Sequence, residues 1–397
     1  MRQRRQIGKV FRLGLLLVIS LAILIAILVF SFAPSFVAKR FNPISPLVLQ
    51  PLSSSSQALH ESLTIVDLHA DSLLWGRDLS KLESYGHVDV PRLIQGNVAL
   101  QIFTVVTKVP TPLLLEGNND RSDNITKLAI LQRWPIPSWF SLKERALYQA
   151  RRLQSLEREA SGKFRIIKTK QDLNNYLAQR QQNRAITAGL LGLEGAHALE
   201  GQIENVNQLY EEGFRLIGLS HFFDTEVSGS AHGVDKGGLS PFGREVLKRM
   251  EALGLIIDLA HASAQTMNEV LQITSRPVLV SHTGVQGTCN NARNLSDRQL
   301  QQIAQSGGVI GIGFWETAVC GEDASAIARA IRYVADKVGI DYVAIGSDFD
   351  GAVRVPFDVA NLGQLTQALQ KEGFSEKEIA KIMSLNVIHL LQKLLPA

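Results

Sequence analysis

Thr64-Ile65-Val66-Asp67-Leu68-His69-Ala70-Asp71 is a short apolar run that ends in two side chains with metal-binding chemistry. Its length and β-branched content are typical of a buried strand. Because side chains alternate between the two faces of a strand, His69 and Asp71 point the same way. Imidazole nitrogen and carboxylate oxygen are ordinary zinc ligands, so this strand end is predicted to bind one ion.

Seven further apolar runs of strand length follow along the chain. They are Val98–Val106, Ala188–Leu193, Phe214–Leu219, Leu255–Leu259, Val278–Val280, Val309–Phe314 and Tyr342–Ile345. Near-continuous apolar character indicates strands covered on both faces, and helical patterns lie between the later runs. Eight such strands alternating with helices predict an α/β fold, a (β/α)8 TIM-like barrel. Residues 107–184, with clustered prolines and two helical patterns, are predicted to form an insertion after the second strand.

Side chains of metal-ligand type end three of these runs, at the strand ends where barrel enzymes place their chemistry. His261 and His282 end neighbouring strands and are predicted to hold a second ion. Glu194 ends the third strand, between the two pairs, and a carboxylate has two oxygens with which to bridge both ions. Two divalent ions about 3.5–4 Å apart would bind a bridging water and lower its pKa towards about 7, which yields hydroxide at neutral pH.

Each of these groups alone has an ordinary explanation, since a single histidine in an apolar run is more often a core residue. An aspartate after a strand is more often a turn or a helix cap. The metal hypothesis rests on all five groups standing at one end of the predicted barrel. The remaining histidines do not end strands and are predicted to have structural roles; they are His60, His87, His197, His232 and His389.

Three more side chains are predicted to act on the substrate. Asp348, at the end of the eighth strand, would accept a proton from the bridging water and donate it to a leaving amine. His221, at the end of the fourth strand, would donate to a carbonyl oxygen as charge develops there. Arg293, after the sixth strand, would bind a substrate carboxylate with two hydrogen bonds. The ordinary alternatives are a turn aspartate and an exposed loop arginine.

The N-terminal residues predict a membrane anchor. Leu13–Ala33 contains no charged residue and is long enough to cross a bilayer core of about 30 Å as a helix. Basic residues precede it, so residues 1–12 are predicted to be cytoplasmic and the remainder to be exported. Residues 34–60, rich in proline and serine, are predicted to be a linker to a catalytic domain at 61–397. A cleaved signal peptide is the alternative, which Pro34 disfavours.

Composition limits the class of protein further. The 397 residues are 45% apolar and 20% charged, enough for one large core, and the formal net charge is +4. No basic stripe is interleaved with aromatic residues, so nucleic acid is not an expected partner. The only two cysteines, Cys289 and Cys320, exclude a disulfide framework and disfavour a thiolate zinc site. The sequence leaves open whether they pair.

Together these residues make the chain resemble the membrane dipeptidase (renal dipeptidase) family of dizinc peptidases, relatives of the amidohydrolase barrels. The resemblance extends from about Leu63 to the C-terminus. Its motifs are DLHAD (67–71), GLEG (192–195), LSH (219–221), GLSPFG (238–243), DLAH (258–261), VSH (280–282), ARN (292–294) and GSDFDG (346–351). Many amidohydrolase relatives bridge their metals with a carboxylated lysine, where this chain has Glu194.

The resemblance implies two zinc ions per chain. One would lie on His69, Asp71 and Glu194, and the other on Glu194, His261 and His282. Other divalent ions remain an alternative, since coordination geometry decides metal identity.

The resemblance also implies roles at the substrate: Asp348 in proton transfer, His221 at the carbonyl and Arg293 on the terminal carboxylate of a dipeptide. It further implies tolerance of a C-terminal D-residue, and a homodimer. Animal members reach the membrane by a C-terminal lipid anchor, whereas this chain has an N-terminal apolar segment. That difference predicts a single-pass envelope protein whose catalytic domain faces the periplasm or the cell exterior.

Two other functions fit the same residues. The dizinc site could serve another amidase, a lactamase or an esterase, although a substrate without a free carboxylate would not need Arg293. The second alternative is a catalytically silent, anchored binding protein, which the complete set of ligand-type residues argues against.

Overall fold

The centre of the fold is a parallel sheet that curls into a nearly closed barrel. The computed structural model describes residues 2–397. Met1 and the side chains of residues 2–6 and 8–10 lie outside the described part, and most of the basic cluster predicted at 1–12 lies there too. The strands are β1 (Ile65–Ala70), β2 (Val98–Val106), β3 (Phe164–Ile166), β4 (Thr187–Glu194), β5 (Phe214–Gly218), β6 (Ile256–Asp258), β7 (Leu279–Thr283), β8 (Val309–Ile312) and β9 (Val343–Ile345).

Eight of the strands follow the order β1-β2-β4-β5-β6-β7-β8-β9, while β3 pairs only with β4. All of the strand pairs are parallel. A further parallel bridge joins Ala70 to Phe349 and so brings the chain after β9 beside the end of β1. The predicted TIM-like barrel is therefore confirmed, with one additional short strand, and all eight barrel strands present their carboxyl ends at one rim.

Helices cover the outside of the barrel. Those of the described residues are α1 (Arg2–Phe41), α2 (Ser54–Ser62), α3 (Val90–Gln95), α4 (Asn124–Leu131), α5 (Pro137–Phe140), α6 (Leu142–Glu159), α7 (Lys170–Gln182), α8 (Glu204–Glu211), α9 (Pro241–Leu253), α10 (Ala264–Ile273), α11 (Asp297–Gln305), α12 (Glu316–Val319), α13 (Ala324–Val338), α14 (Gly363–Lys371), α15 (Glu376–Ala380) and α16 (Asn386–Leu394). Residues of β3, α4, α5, α6 and α7 make up the predicted insertion between β2 and β4.

A buried arginine organises the insertion. Arg145 on α6 is ion-paired to Asp123, at 2.5 Å, and donates hydrogen bonds to the carbonyl oxygens of Thr107 and Ser138, each at 2.7 Å. It thereby links α6 to the residue that follows β2 and to the start of α4. The insertion is thus attached to the rim of the barrel at the carboxyl end of β2.

The N-terminal helix is longer than the predicted span. Its apolar part, Phe11–Phe41, has a mean hydropathy of 3.2 in its most apolar window, none of which is buried. By length and composition this helix could cross a membrane. The helix continues through Pro34, and Ala38 near its end is buried in an apolar cluster with Trp75 and Trp134.

Part of the predicted linker, 34–60, makes ordered contacts with the barrel. The backbone N–H of Ser45 donates to the carbonyl oxygen of Val355, at 2.8 Å, and Asn42 accepts from the N–H of Ala352, at 3.0 Å. Ser53 caps α2, and its own N–H donates to the side chain of Gln367, at 2.8 Å. A proline- and serine-rich composition does not reveal such pairings, because they depend on partners some 300 residues away.

Candidate metal centre

The predicted site residues meet at the carboxyl-terminal rim of the barrel. His69 lies within β1 and Asp71 just after it, Glu194 is the last residue of β4, and His282 lies in β7. The other three follow the ends of their strands by three residues: His221 after β5, His261 after β6 and Asp348 after β9. All seven residues are buried, with exposed fractions of at most 8%.

Local backbone geometry sets the direction of several of these side chains. His261 and Asp348 have φ angles of 62° and 61°, in the left-handed region, which costs roughly 1–2 kcal/mol for a residue with a β-carbon. Strain of this kind is commonly found at functional sites. Gly195 has a φ of 95°, and a β-carbon there would lie 3.1 Å from the β-carbon of His221. Only glycine therefore lets the chain turn directly after Glu194.

The carboxylate of Glu194 lies at the centre of the site. Its Oε1 is 3.1 Å from Nε2 of His261, 3.4 Å from Nε2 of His282 and 3.5 Å from Nε2 of His69. Its Oε2 is 3.3 Å from Nε2 of His221. One carboxylate thus faces four imidazole nitrogens, and His221 lies as close to it as the histidines predicted to bind metal.

A second group of donors surrounds His69. Nε2 of His69 lies 3.5 Å from Oδ1 of Asp71 and 3.8 Å from Oδ1 of Asp348. Thr104 on β2 donates from its hydroxyl to Oδ1 of Asp71, at 2.6 Å. Ser281 lies 3.3 Å from Nδ1 of His69 and 3.0 Å from Nδ1 of His282, so one hydroxyl contacts the rear nitrogens of both rings.

The electrostatics of the site favour a cation at its centre. Burial, reinforced by the charge of Asp71, raises the pKa of Glu194, and burial raises the pKa of Asp348 to about 8. Burial opposes protonation of His69, but the carboxylates of Glu194 and Asp71 outweigh it and raise its pKa to about 10. Burial lowers the pKa of His261 and His282 well below the usual range. The raised pKa of His69 shows that the carboxylates attract positive charge at this position, and His261 and His282 place uncharged rings beside them.

The donor set fits divalent cations. Nε2 of His261 and Nε2 of His282 are 2.9 Å apart, and both lie within 3.4 Å of Oε1 of Glu194, so two imidazole nitrogens and a carboxylate oxygen are directed at one region. Three groups have ligand atoms within 4.8 Å of one another: His69, Glu194 and His282; Glu194, His221 and His261; His69, Asp71 and Asp348. Nitrogen and carboxylate donors in this arrangement suit zinc and similar ions.

The site opens into a cleft of about 280 Å³. Arg293 lines this cleft and is buried, donating to the carbonyl oxygen of His282, at 2.7 Å, and to the hydroxyl of Thr283, at 3.2 Å. Burial lowers the pKa of Arg293 to about 10, against the opposing charges of Asp348 and Glu194, so the guanidinium stays charged at neutral pH. Its position differs from the exposed loop arginine that is the ordinary alternative.

Three other residues take part in the site without having been predicted. Thr104 and Ser281 are hydroxyls within or next to apolar strand sequence, and nothing in their spacing points to a metal centre. His232, assigned a structural role from sequence, lines the cleft together with Phe222 and Leu115. By contrast, His60, His87 and His197 hydrogen-bond to groups outside the cleft, and His389 is exposed on α16.

The two cysteines, whose pairing the sequence leaves open, form a disulfide between Cys289 and Cys320. The bond joins the loop after β7, which carries Arg293, to the residue that follows α12. The side chain of Asn291 adds a hydrogen bond to the carbonyl oxygen of Thr317, at 2.8 Å. The loop of Arg293 is thus tied to the neighbouring loop.

Comparison with known proteins agrees with this geometry. Residues 54–395 match the model of the membrane dipeptidase family, Peptidase family M19. The chain belongs to the membrane dipeptidase family. It is therefore a metal-dependent hydrolase that acts on dipeptides, as the resemblance predicted. The match covers the barrel, the insertion and α2.

The relatives named here are distant in sequence, and the solved structures among them share the fold. Dipeptidase tcpJ of Claviceps purpurea is 27% identical over 317 residues, 78% of this chain and 69% of that protein. An uncharacterized dipeptidase of Schizosaccharomyces pombe is 27% identical over 318 residues, 77% of this chain and 72% of that protein. The crystal structure of a metallopeptidase named dipeptidase AC superposes with a TM-score of 0.72 at 24% identity, covering 85% of this chain and all of that one. A metallopeptidase from Rhodobacter sphaeroides, liganded with a phosphinate mimic of L-Ala-D-Ala, gives 0.68 at 24% identity, covering 84% and 99%.

Proposed function

We propose that the chain hydrolyses the peptide bond of dipeptides with two zinc ions at the Glu194 centre. The observation that carries this proposal is the single carboxylate facing the Nε2 atoms of four histidines, with two further carboxylates beside it. One ion would be held by His69, Asp71 and Glu194, and the other by Glu194, His261 and His282. When bound, such a pair polarises the substrate carbonyl and lets water attack near neutral pH.

The chain's own residues would position the dipeptide and move its protons. Arg293 would bind the C-terminal carboxylate, since its charge is retained in a buried cleft that a carboxylate can enter. His221, 3.3 Å from Glu194, would donate to the carbonyl oxygen as charge develops on it. Asp348 would accept the proton of the attacking water and pass it to the nitrogen that leaves.

Tolerance of a D-residue at the C-terminal position is part of the proposal. Its support is the relative from Rhodobacter sphaeroides, which was crystallised with a mimic of L-Ala-D-Ala. The cleft of this chain is walled mainly by apolar side chains, including Leu113, Phe222 and Trp315, and such walls constrain the handedness of a side chain less than directed hydrogen bonds do.

We further propose that α1 anchors the chain and that the barrel lies on the periplasmic or extracellular side. The apolar helix and the basic residues before it support this orientation. The disulfide between Cys289 and Cys320 adds independent support, because such bonds persist in oxidising compartments. The homodimer stays a prediction.

The decisive experiment combines metal analysis with a dipeptide panel that includes D-residues at the second position. Purified wild-type protein is expected to carry two zinc ions per chain and to cleave both L,L- and L,D-dipeptides. Glu194→Gln, which keeps the size of the side chain and removes its charge, is expected to lower metal content and to reduce activity at least about 100-fold. Glu204→Gln, on the exposed surface of α8, is the matched control. Full activity of Glu194→Gln, or wild-type protein with one ion, would contradict the proposal.

A further inference from the structure

His232 has a buried nitrogen that the reaction described above does not use. The side chain is 2% exposed and lines the cleft together with Glu194, Arg293 and Asp348. Its Nδ1 lies 2.6 Å from the carbonyl oxygen of Leu115. Because a carbonyl can only accept, Nδ1 carries the proton and Nε2 presents a lone pair. Among the described residues, Nε2 has no hydrogen-bond partner.

The ring of His232 is held firmly in place. The N–H of Ala231 donates to the carbonyl oxygen of His261, at 2.8 Å, and the hydroxyl of Ser230 donates to the carbonyl oxygen of His221. The N–H of Asn118 donates to the carbonyl oxygen of His232, at 2.9 Å. The backbone of His221, the backbone of His261 and Asn118 of the insertion therefore hold this loop in place. Nε2 of His232 cannot easily move to another hydrogen-bond donor.

The chemistry of a dipeptide suggests what Nε2 binds. In the proposed reaction the terminal carboxylate lies on Arg293, the carbonyl oxygen on His221, and the scissile nitrogen receives its proton from Asp348. The N-terminal ammonium is then the one donor group of the substrate without a partner. With Nδ1 directed at the carbonyl oxygen of Leu115, Nε2 of His232 is the ring atom that can accept from this ammonium.

We propose that Nε2 of His232 accepts a hydrogen bond from the N-terminal ammonium of the dipeptide. This inference rests on the proposed dipeptidase function and adds a specificity determinant to it. His232 would make the enzyme prefer substrates with a free amino terminus, since an N-acylated substrate cannot offer the same charged donor to a buried acceptor.

Two other roles for His232 predict different kinetics. The rings of His232 and His261 have centroids 5.0 Å apart, so His232 could act only by positioning His261. It could also act only as a latch for the insertion through Leu115 and Asn118. In either case a change at His232 would affect all substrates equally, whereas a contact with the ammonium affects only substrates that carry one.

The test crosses two enzyme variants with two substrates, using the full-length protein in detergent. L-Ala-L-Ala and propionyl-L-Ala differ only in the amino group. His232→Asn keeps a donor near the position of Nδ1 and removes the acceptor at Nε2, whereas His232→Gln places an oxygen near Nε2. His389→Asn, on the exposed face of α16, is the matched control.

We expect His232→Asn to lower kcat/KM for L-Ala-L-Ala by about 10- to 100-fold, the effect of losing a hydrogen bond to a charged group. The kcat/KM of His232→Asn for propionyl-L-Ala should fall by no more than about twofold. His232→Gln should regain most of the kcat/KM for L-Ala-L-Ala that His232→Asn loses. If propionyl-L-Ala turns over too slowly, its inhibition constant against L-Ala-L-Ala gives the same comparison.

Equal losses for both substrates, or no loss for either, would overturn the ammonium contact. Zinc content measured on the same samples shows whether the variants still hold their metals. Wild-type protein that fails to cleave L-Ala-L-Ala would instead refute the proposed dipeptidase function, so the two failures are distinguishable.

Discussion

Thr104 shows how a residue that binds no metal can set the geometry of those that do. Its hydroxyl donates to Oδ1 of Asp71, at 2.6 Å, from the neighbouring strand β2. The same oxygen lies 3.5 Å from Nε2 of His69, so this bond helps to hold the Asp71 carboxylate in its orientation beside His69. Groups that orient ligands in this way typically contribute a factor of about 10–100 in metal affinity or activity.

We therefore expect Thr104→Val, which has nearly the same shape, to weaken metal binding about 10- to 100-fold without unfolding the barrel. Competition with a chelator, followed by residual dipeptidase activity, measures the change. Thr64→Val, directly before the first residue of β1, serves as the control. Unchanged chelator resistance in Thr104→Val would mean that Asp71 does not depend on this hydroxyl.

Arg293 lines the cleft and also contacts the backbone of the protein, so the test of its role needs two matched substrates. Arg293 also donates to the carbonyl oxygen of His282, a predicted metal ligand, so its removal disturbs the metal centre as well as substrate binding. Arg293→Ala is expected to raise KM for a dipeptide by about 10- to 100-fold, the effect of a charged hydrogen-bonding pair. The C-terminal amide of the same dipeptide should be affected little; an equal effect on both would exclude contact with the carboxylate.

The residues of the site differ in how far the sequence could predict them. His69, Asp71 and Glu194 stand at the ends of apolar runs, and the repetition of this pattern at several strand ends is what points to them. The roles of Thr104 and Ser281 cannot be predicted from the local sequence. A hydroxyl in a strand is common, and the residues that these two contact include ones on other strands. His232 lies in a glycine-rich loop, and only its contacts with Leu115 and the cleft distinguish it from a structural histidine.

At the scale of elements, the disulfide joins two loops of the rim. Cys289 and Cys320 are separated by 31 residues in sequence. Closing a loop of this size in the unfolded chain stabilises the fold by about 3–4 kcal/mol. The Cys289→Ala, Cys320→Ala double variant is expected to melt roughly 5–10 °C lower than the wild type. A reducing agent should lower the Tm of the wild type by a similar amount and leave the Tm of the double variant unchanged. If the reducing agent lowers both Tm values, its effect does not come from the disulfide.

The insertion depends on a carboxylate whose ionisation makes its stability sensitive to acid. Burial alone would raise the pKa of Asp123, but hydrogen bonds from Thr126 and Arg145 outweigh it and hold the pKa below its usual value. A group whose pKa is lowered by folding stabilises the fold above its unfolded value, about 3.9, and this stability is lost as pH falls through the folded value.

We expect pepsin to begin cutting the insertion as the pH is lowered below about 4. In Asp123→Asn the insertion should already be weakened at neutral pH, because Arg145 remains buried without its anion, and its cutting should depend less on pH. Mass spectrometry of the fragments locates the cleavage, and Asp120→Asn, at an exposed position, is the control. An identical pH profile in Asp123→Asn and wild type would show that another group controls the opening.

The secondary structure follows from sequence where an element has its own pattern. The long apolar runs of β2 and β4 appear in the structure with nearly the predicted bounds. β3 has only three residues and exists because Phe164–Ile166 lies along β4, so no local periodicity predicts it. Prolines and helical patterns predict where the insertion lies, but its attachment through Arg145 depends on tertiary contacts.

The whole molecule joins an apolar helix to a barrel with little free chain between them. The end of α1 packs on the barrel through Ala38, and residues 42–45 continue the contact through Asn42 and Ser45. Ala352, whose N–H donates to Asn42, and its neighbour Val353 line the cleft. Residues before α2 therefore support the rim of the active site.

This arrangement predicts that the point of truncation matters. The full-length chain is expected in the membrane fraction and to require detergent for release, whereas fragments 34–397 and 53–397 are both expected to be soluble. Fragment 34–397 keeps the contacts of Ala38, Asn42 and Ser45 and should match the Tm and KM of the full-length enzyme. Fragment 53–397 loses these contacts and should melt several degrees lower, by roughly 2–4 °C for each kcal/mol lost, with a raised KM. Sedimentation measures membrane association, thermal unfolding measures Tm, and dipeptide kinetics measure KM. A fragment 34–397 that stays in the membrane would refute anchoring by α1, and identical fragments would show that residues 34–52 are only a connection.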